Sequence, residues 1–194
     1  METEVSRATL VTAPATEPIT RTQAKKQLEL SSETTHDDQV DLLIQAAREQ
    51  WEHDTDSCCM AQTWKVNFEA ADDDEIYLPK RPVASITSVK YYDTDNTQQT
   101  LSSSVYGLDA ACRSVRLKHL QDWPAAVLDR WDAWEITYVC GYASAALVPA
   151  IAKQAMLLLV AHYFENRDMI MGEALQSMPV YEALVRRFMR SSYP

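Results

Sequence analysis

The sequence contains little glycine and no long apolar run, and each shortage excludes a class of protein. The three glycines in 194 residues, Gly107, Gly141 and Gly172, lie too far apart to form a glycine-rich phosphate-binding loop. The longest apolar run, residues 155–161, is far too short to span a bilayer. No basic stretch followed by an apolar core occurs near the first residue, so no signal peptide is expected. We therefore expect no nucleotide loop and no membrane contact.

Positive charge is scarce as well. Eighteen Lys and Arg residues stand against 28 Asp and Glu residues, which gives a net charge of −10 and a pI near 4.8. A protein that grips nucleic-acid phosphates needs clustered cations, so this composition argues against nucleic-acid binding. It is compatible with a protein that lets DNA pass without holding it, because a negative wall repels the phosphate backbone. The apolar fraction of 46% is that of a globular core.

The four cysteines form no Cys-x-x-Cys pair and no dense framework, so they are predicted to be buried or half-buried thiols in a reducing compartment. The densest set of possible metal ligands is His53, Asp54, Asp56, Cys58 and Cys59. A zinc site needs four ligands in fixed geometry, and a second half-site with matching spacing is missing from the sequence. We therefore predict neither a metal site nor any other cofactor.

Cys59, His119 and Asp122 have the residue types of a nucleophilic triad. Nothing in the sequence brings these three residues together, and any chain with several cysteines and histidines allows such a choice. A hydrolase that uses Cys59 or His119 is therefore kept only as an alternative, and the chain is not predicted to be an enzyme.

The first sixty residues change from an arm to a pair of helices. Residues 1–18, rich in Thr, Ala, Glu and Pro, are predicted to form an extended arm that only a partner orders, with strand addition to a neighbour as one option. Thr20 is expected to cap a short helix over 21–30, and Asp37 or Asp38 opens a second helix. The apolar stripe of the second helix consists of Val40, Leu43, Ile44, Ala47 and Trp51.

From Gln62 the apolar period becomes that of strands. Alternation predicts strands at 62–69, 83–92 and 97–101, one or two more within 105–117, and another at 134–138. Asp93–Asn96 is typical of a turn. An acidic run near the start of this region lacks the spacing of a calcium loop, so it is assigned to a solvated loop tip, with a channel or interface position as the alternative. Its members are Asp72, Asp73, Asp74 and Glu75.

Two further helices follow the strands. Pro149 begins a helix over 150–166 that is apolar nearly all round, which indicates burial against more than one neighbour. The candidates for contact with another subunit are Trp51, Met156, Leu157, Val160 and Tyr163. Pro179 begins a last amphipathic helix. Its arginines are most simply a solvated face that complements the helix dipole, and docking to an acidic partner is the functional alternative. Its docking candidates are Val180, Leu184, Phe188, Arg186, Arg187 and Arg190.

Helices from both ends of the chain are expected to pack together, because the second and third helices each need a cover. We therefore predict an α+β fold: a small, antiparallel-type bundle of about four helices with a β-strand domain inserted between helices two and three. The predicted boundaries are an extended arm at 1–18, a helical core at 19–60 and 146–194, and the inserted β domain at 61–145.

Several short motifs occur in a fixed order across the chain. They are Gln62-Thr63-Trp64, Ile76-x-Leu78-Pro79-x-x-Pro82-Val83-x-Ser85-Ile86-x-Ser88-Val89-Lys90-Tyr91, Tyr106-x-Leu108-Asp109, Trp123-Pro124, Ile136-Thr137-Tyr138-Val139-x-Gly141-Tyr142, Val148-Pro149 and Tyr163-Phe164-Glu165-Asn166-Arg167. In this order, over roughly residues 20–167, the chain resembles the head–tail connector proteins of tailed phages, also called head-completion or adaptor proteins, whose relatives occur in gene transfer agents. One departure is Asp95-Asn96, which stands where most members have a glycine in the hairpin turn.

The resemblance implies a homo-oligomeric ring of twelve subunits beneath the portal protein, bridging it to the tail or to the next neck protein without catalysis. DNA would pass through the channel without specific binding. The protein would lie at the head–tail junction of the virion, and in the host cytoplasm during assembly. Another neck or tail-completion ring protein of similar fold, at a different level of the stack, is the alternative.

Overall fold

The computed structural model describes residues 5–30, 33–69, 75–109, 114–124, 129–166 and 178–191. By its internal contacts the chain divides into two compact units, one formed by residues 1–15 and 61–142 and the other by residues 16–60 and 143–194. The first is the strand unit and the second is the helical unit. The predicted α+β class is confirmed, with strands inserted between the second and third helices. Asp72, Asp73 and Asp74 of the acidic run lie outside the described residues.

The described part of the helical unit contains four α-helices. They are α1 (Arg21–Gln27), α2 (Asp37–Thr55), α3 (Ala150–Glu165) and α4 (Pro179–Ser191). A 3₁₀ turn, Ala145–Leu147, precedes α3. Helix α3 contacts α1, α2 and α4, so the chain's own helices cover its apolar surface from several sides. None of the described helices combines the length and the apolarity that a bilayer crossing requires.

Helix α1 begins where the sequence predicts its cap. The backbone N–H of Gln23 donates to Oγ1 of Thr20 at 3.2 Å, and the backbone N–H of Thr20 donates to Oε1 of Gln23 at 2.8 Å. This reciprocal pair satisfies two N–H groups that the start of a helix leaves without intrahelical partners. The cap at Thr20 is confirmed, although α1 ends at Gln27 and not at Leu30.

Ion pairs join α1 to the start of α2. Lys25 Nζ lies 2.7 Å from Oδ1 of Asp37, and Arg21 Nη1 lies 3.1 Å from the other oxygen of the same carboxylate. Arg21 also pairs with Asp41. The hydrogen bond from Lys25 and the nearby positive charges lower the pKa of Asp37, so its carboxylate is charged at neutral pH and binds both cations.

Helix α4 is held on α2 by aromatic packing around Trp51. The Trp51 side chain is fully buried, and its ring centroid lies 6.2 Å from that of Tyr181 and 5.1 Å from that of Phe188. Edge-to-face and tilted arrangements at these distances are favourable for aromatic rings. The rest of the stripe predicted for α2 faces inward too, with Val40, Ile44 and Ala47 buried and Leu43 half-buried.

The described part of the strand unit contains eight strands in two antiparallel sheets. The five-stranded sheet has the order β1-β2-β8-β4-β5, and the three-stranded sheet has the order β3-β7-β6. The strands are β1 (Val5–Thr12), β2 (Gln62–Phe68), β3 (Glu75–Tyr77), β4 (Val83–Tyr92), β5 (Gln98–Thr100), β6 (Tyr106–Asp109), β7 (Ser114–Leu117) and β8 (Trp134–Cys140).

Strand β8 is the centre of the five-stranded sheet. Its Ile136 lies opposite Val66 of β2 and Val89 of β4, and all three side chains are fully buried. Along β8 every second residue is buried, namely Trp134, Ile136, Tyr138 and Cys140. The alternation predicted from the sequence for this strand is therefore confirmed, since successive side chains of a strand point to opposite faces.

The turn between β4 and β5 forms without glycine. Oδ1 of Asp93 accepts hydrogen bonds from the backbone N–H groups of Asp95 at 3.1 Å and Thr97 at 2.9 Å. Asn96 takes the left-handed backbone conformation, with φ of 59°. Asparagine tolerates that conformation better than most residues. The aspartate acceptor and this asparagine together explain how Asp95-Asn96 can replace a glycine turn.

The N-terminal segment differs from the prediction. Strand β1 pairs antiparallel with β2 of the same chain, from Val5 opposite Phe68 to Thr12 opposite Thr63. The expectation that residues 1–18 form an arm ordered only by a partner is therefore wrong for this stretch. Its backbone groups find hydrogen-bond partners in the chain's own sheet, so no second protein is required to order it.

Two of the cysteines also differ from the prediction. Cys58 and Cys140 each take part in a disulfide bond, whereas Cys59 has a free, buried thiol. The expectation of reduced thiols is therefore wrong for the first two. Spacing along the chain does not report distances in the fold, and those distances decide which cysteines can form a disulfide. Cys112 lies outside the described residues.

We expect Phe188→Ala to destabilise the protein by about 3–5 kcal/mol, because it removes a large buried ring from the contact with Trp51. The matched control is Leu42→Ala on α2, where the side chain is 64% exposed, and it should change the free energy of unfolding by no more than about 0.5 kcal/mol. Urea unfolding followed by tryptophan fluorescence measures both. Equal effects of the two substitutions would show that the aromatic contact does not hold α4.

Candidate docking surface

The structure places most of the predicted subunit-contact residues inside the subunit. Trp51, Met156 and Val160 are buried within the helical unit, so they offer no surface to a second copy and their assignment is wrong. The reason is that the chain's own α1, α2 and α4 cover much of α3. Leu157 and Tyr163 are half-buried, and their role in subunit contact stays a prediction.

The docking candidates on α4 divide between two faces. Phe188 is 7% exposed and packs on Trp51, so its assignment to partner docking is wrong. Val180 is 65% exposed and Leu184 is half-buried. The three arginines, Arg186, Arg187 and Arg190, are exposed. The outer face of α4 therefore presents one large apolar side chain near its start and a group of cations towards its end.

The inner face of α4 is fixed by a hydrogen bond as well as by packing. The hydroxyl of Tyr181 donates to Oδ2 of Asp54 on α2 at 2.6 Å, and Asp54 also accepts from Nε2 of Gln50. Burial, together with the hydrogen bond to Asp54, raises the pKa of Tyr181 far above its ordinary value, so its hydroxyl keeps its proton. Pro179 begins the helix, where the missing N–H costs nothing.

The outer face of α4 borders an open groove of about 570 Å³. Its described lining consists of Ala183, Arg186, Arg187 and Arg190. Over its length α4 carries these three arginines and one glutamate, Glu182, which pairs with Arg186 at 3.1 Å. A guanidinium presents planar, paired donors that match a carboxylate. This group of arginines is therefore suited to binding carboxylates, although the chain as a whole has a net charge of −10.

The helical unit also contains an ionic group around Arg48, a residue of α2 outside the apolar stripe predicted from the sequence. Arg48 is buried, with Nε 2.8 Å from Glu17 and Nη1 2.9 Å from Glu52. Burial alone lowers the pKa of Arg48, but the charges of Glu52 and Glu17 outweigh it and raise the pKa. The four-residue spacing of Arg48 and Glu52 on a helix indicates the ion pair between them. The pair of Arg48 with Glu17 has no such local signal.

The end of the acidic run lies in a strand and not at a loop tip. Glu75 is the first residue of β3, and its Oε2 lies 2.6 Å from Nη2 of Arg116 on the paired strand β7. The hydrogen bond from Arg116 lowers the pKa of Glu75. For this residue the loop-tip assignment is wrong, because the strand pairing supplies a cation beside it.

The Cys59 thiol, the nucleophile of the hydrolase alternative, is not activated in the structure. Burial, followed by the nearby Glu52 carboxylate, raises the pKa of the Cys59 thiol far above its ordinary value. A reactive cysteine needs the opposite shift, since the thiolate is the nucleophile. Cys59 belongs to the helical unit, and His119 and Asp122 belong to the strand unit. Among the described residues no three His, Cys, Asp or Glu side chains are grouped so as to hold a metal ion.

Comparison with known proteins shows a shared fold. No family model and no curated protein matches the chain. A chain in the neck of an empty gene transfer agent particle with C6 symmetry is similar, with 22% identity, a TM-score of 0.76 and 94% of each chain covered. A chain in the virion of a native gene transfer agent particle has 22% identity, 93% coverage of each chain and a TM-score of 0.73. A chain in the native neck with C12 symmetry has 22% identity, 94% coverage of each chain and a TM-score of 0.67.

We expect native Cys59 to resist alkylation by iodoacetamide at pH 8, because its raised pKa and its burial leave almost no thiolate accessible. The same cysteine should react within minutes once urea unfolds the chain. Mass spectrometry of the peptide that contains Cys59, with and without urea, measures the difference. A rate in the native protein equal to that in urea would contradict the structure and revive a nucleophilic role.

Proposed function

We propose that the chain is a structural protein of the neck of a phage-like particle, a head–tail connector that joins the portal to the tail or to the next neck protein. The observation that carries the proposal is the fold shared with chains of gene transfer agent necks over 94% of the length. The ordered motifs, from Gln62-Thr63-Trp64 to Val148-Pro149, support it independently. Such a role is structural and needs no catalytic group.

The proposed assembly is a homo-oligomeric ring, with twelve subunits. Two of the similar structures are necks with C6 and C12 symmetry, which is the symmetry of rings with repeated subunits. A ring closes when one heterologous contact is repeated around an axis. Leu157 and Tyr163, which are half-buried on α3, remain candidates for that contact.

The proposed path of DNA is the channel of this ring. The net charge of −10 per subunit is multiplied around the ring, so the wall repels phosphates and holds none of them tightly. In this proposal the acidic run, Asp72, Asp73, Asp74 and Glu75, adds to the negative potential, although Glu75 is paired with Arg116. DNA therefore slides through without specific binding. The protein is placed in the virion at the head–tail junction, and in the host cytoplasm during assembly.

The proposed portal contact is the basic outer face of α4. Arg186, Arg187 and Arg190 are exposed, whereas the opposite side of the helix is held by Trp51. Arg187 and Arg190 are therefore placed to bind carboxylates of the portal or a neck protein without disturbing the fold, and Arg186 would exchange its exposed pair with Glu182 for such a carboxylate. Val180, at 65% exposure, and Leu184 add apolar contact area beside them.

The second candidate is another neck or tail-completion ring protein at a different level of the stack. It is favoured by the same fold similarity, since likeness at 22% identity does not distinguish levels. The partner decides between the two: the first candidate binds the portal protein, and the second binds tail components and ignores the portal.

We expect the purified chain to form a ring with the portal protein, whose mass native mass spectrometry or light scattering can measure with and without the portal. A complex with twelve copies of the chain on the portal supports the connector assignment. A chain that stays monomeric at high concentration and ignores the portal would refute it. Binding to tail tubes but not to the portal would select the second candidate.

We expect Arg187→Glu to weaken portal binding by about tenfold or more, because a charge-assisted hydrogen bond is worth about 1.5–3 kcal/mol and tenfold in affinity is about 1.4 kcal/mol. Lys26→Glu is the control, since it makes the same change of charge at an exposed position of α1. Titration of portal protein against each variant, at two salt concentrations, measures the effect. Equal losses for both variants would show that net charge alone, and not the α4 face, drives binding.

A further inference from the structure

The five-stranded sheet has two open edges in the part of the chain that the structure describes. Strand β1 is the first strand of the sheet, and its outer edge is uncovered along residues 8–12. At the other side β5 pairs only with Lys90, Tyr91 and Tyr92 of β4, which leaves the edge along residues 84–88 open. Neither stretch contains a charged side chain. Natural proteins commonly protect such edges with charges, so two uncharged edges point to a contact.

One row of side chains crosses the sheet from one open edge to the other. The register places Leu10 opposite Trp64, Trp64 opposite Tyr138, and Tyr138 opposite Ile86. Tyr138, within the row, is fully buried, whereas Leu10 at one end is 43% exposed and Ile86 at the other end is half-buried. The apolar cover is therefore incomplete at both ends, where an added apolar neighbour would remove further surface from water.

The strand directions allow the two edges to meet. Strands β1, β2, β8 and β4 are each antiparallel to the next. Because their number is even, β1 of one copy placed beside β4 of a second copy in the same orientation is again antiparallel. Copies arranged head to tail therefore continue the sheet without a change of strand direction. A symmetric dimer would instead pair β1 with β1, or β4 with β4.

We propose that residues 8–12 of one subunit pair as an antiparallel strand with residues 84–88 of the next subunit, with Leu10 beside Ile86. The inference rests on the proposed ring, since it supplies the heterologous contact that a ring repeats. Charge favours this choice of occupant. Copies that each carry a net charge of −10 repel one another, and uncharged strips are where they approach at least electrostatic cost.

Cysteines at the two edges test the pairing directly. Leu10→Cys and Ile86→Cys are combined in the full-length chain, the ring is assembled with and without portal protein, and mild oxidation is followed by non-reducing electrophoresis. Opposed residues of neighbouring strands have Cβ atoms about 4.5–5.5 Å apart, close to the distance that a disulfide spans. We expect a ladder of covalent multimers from the double variant and no multimers from either single variant.

The control pair is Leu10→Cys with Leu42→Cys, because Leu42 is 64% exposed on α2; it should give no ladder. Dimers from Leu10→Cys alone would show that β1 pairs with itself and would overturn the proposal. Rings of the expected mass without a ladder would also overturn it and would leave the connector function standing. Absence of any ring, even with portal protein, would refute the connector function and this pairing together.

A charge at either edge provides a second test. Thr9→Lys and Thr87→Lys both alter exposed side chains, so the fold should be retained, which circular dichroism checks. We expect each to raise the subunit concentration at half-assembly by about tenfold or more, equivalent to about 1.4 kcal/mol. Leu42→Lys, with the same added charge away from the sheet, should leave it unchanged. Unaltered assembly of both edge variants would refute the strand pairing.

Discussion

The contact between Trp51 and helix α4 is the constraint on which the helical unit depends. Trp51 lies on α2, early in the chain, and α4 lies near its end. Their contact joins α2 to α4, and both helices pack on α3. The Tyr181–Asp54 hydrogen bond, which joins residues 127 positions apart, fixes the rotation of α4 at the same place. With that rotation fixed, Phe188 is turned inward and the arginines outward. The basic groove therefore exists because an aromatic contact on the other side of the helix is made.

Periodicity predicted the elements well and their surroundings poorly. The stripe of α2 and the alternation of β8 could be read directly, since the period of apolar residues follows from helix and strand geometry. The apolar period does not show whether a face is covered by the same chain or by another subunit. Because α3 is apolar nearly all round, its sequence predicts that Met156 and Val160 contact a neighbouring subunit, whereas the chain's own helices bury them. Periodicity reports that a face is buried but not by what.

Long-range pairing accounts for the other differences. Strand β1 gains its partner from β2, more than fifty positions away in sequence. Its two Val and two Thr residues favour a strand, but the segment alone does not show which strand it pairs with. Burial of Arg48 depends on Glu17, 31 positions earlier in the chain. The candidate site was recognised in part, because charge on α4 is a local property of the sequence. Phe188 does not belong to this site, because its ring packs on Trp51. Trp51 is distant from Phe188 in the sequence, so the local sequence around Phe188 does not show the contact.

The inner face of α4 packs on α2 and its outer face is exposed, so the two faces tolerate substitutions differently during evolution. The inner face is tied to α2 by Trp51 and Asp54, so substitutions there alter the whole unit. The outer face makes few contacts that the fold requires, since Arg187 and Arg190 are exposed. Mutations on that side can therefore accumulate with little loss of stability. The architecture itself tolerates extensive sequence change, since a gene transfer agent neck chain of the same fold shares 22% of its residues with this chain.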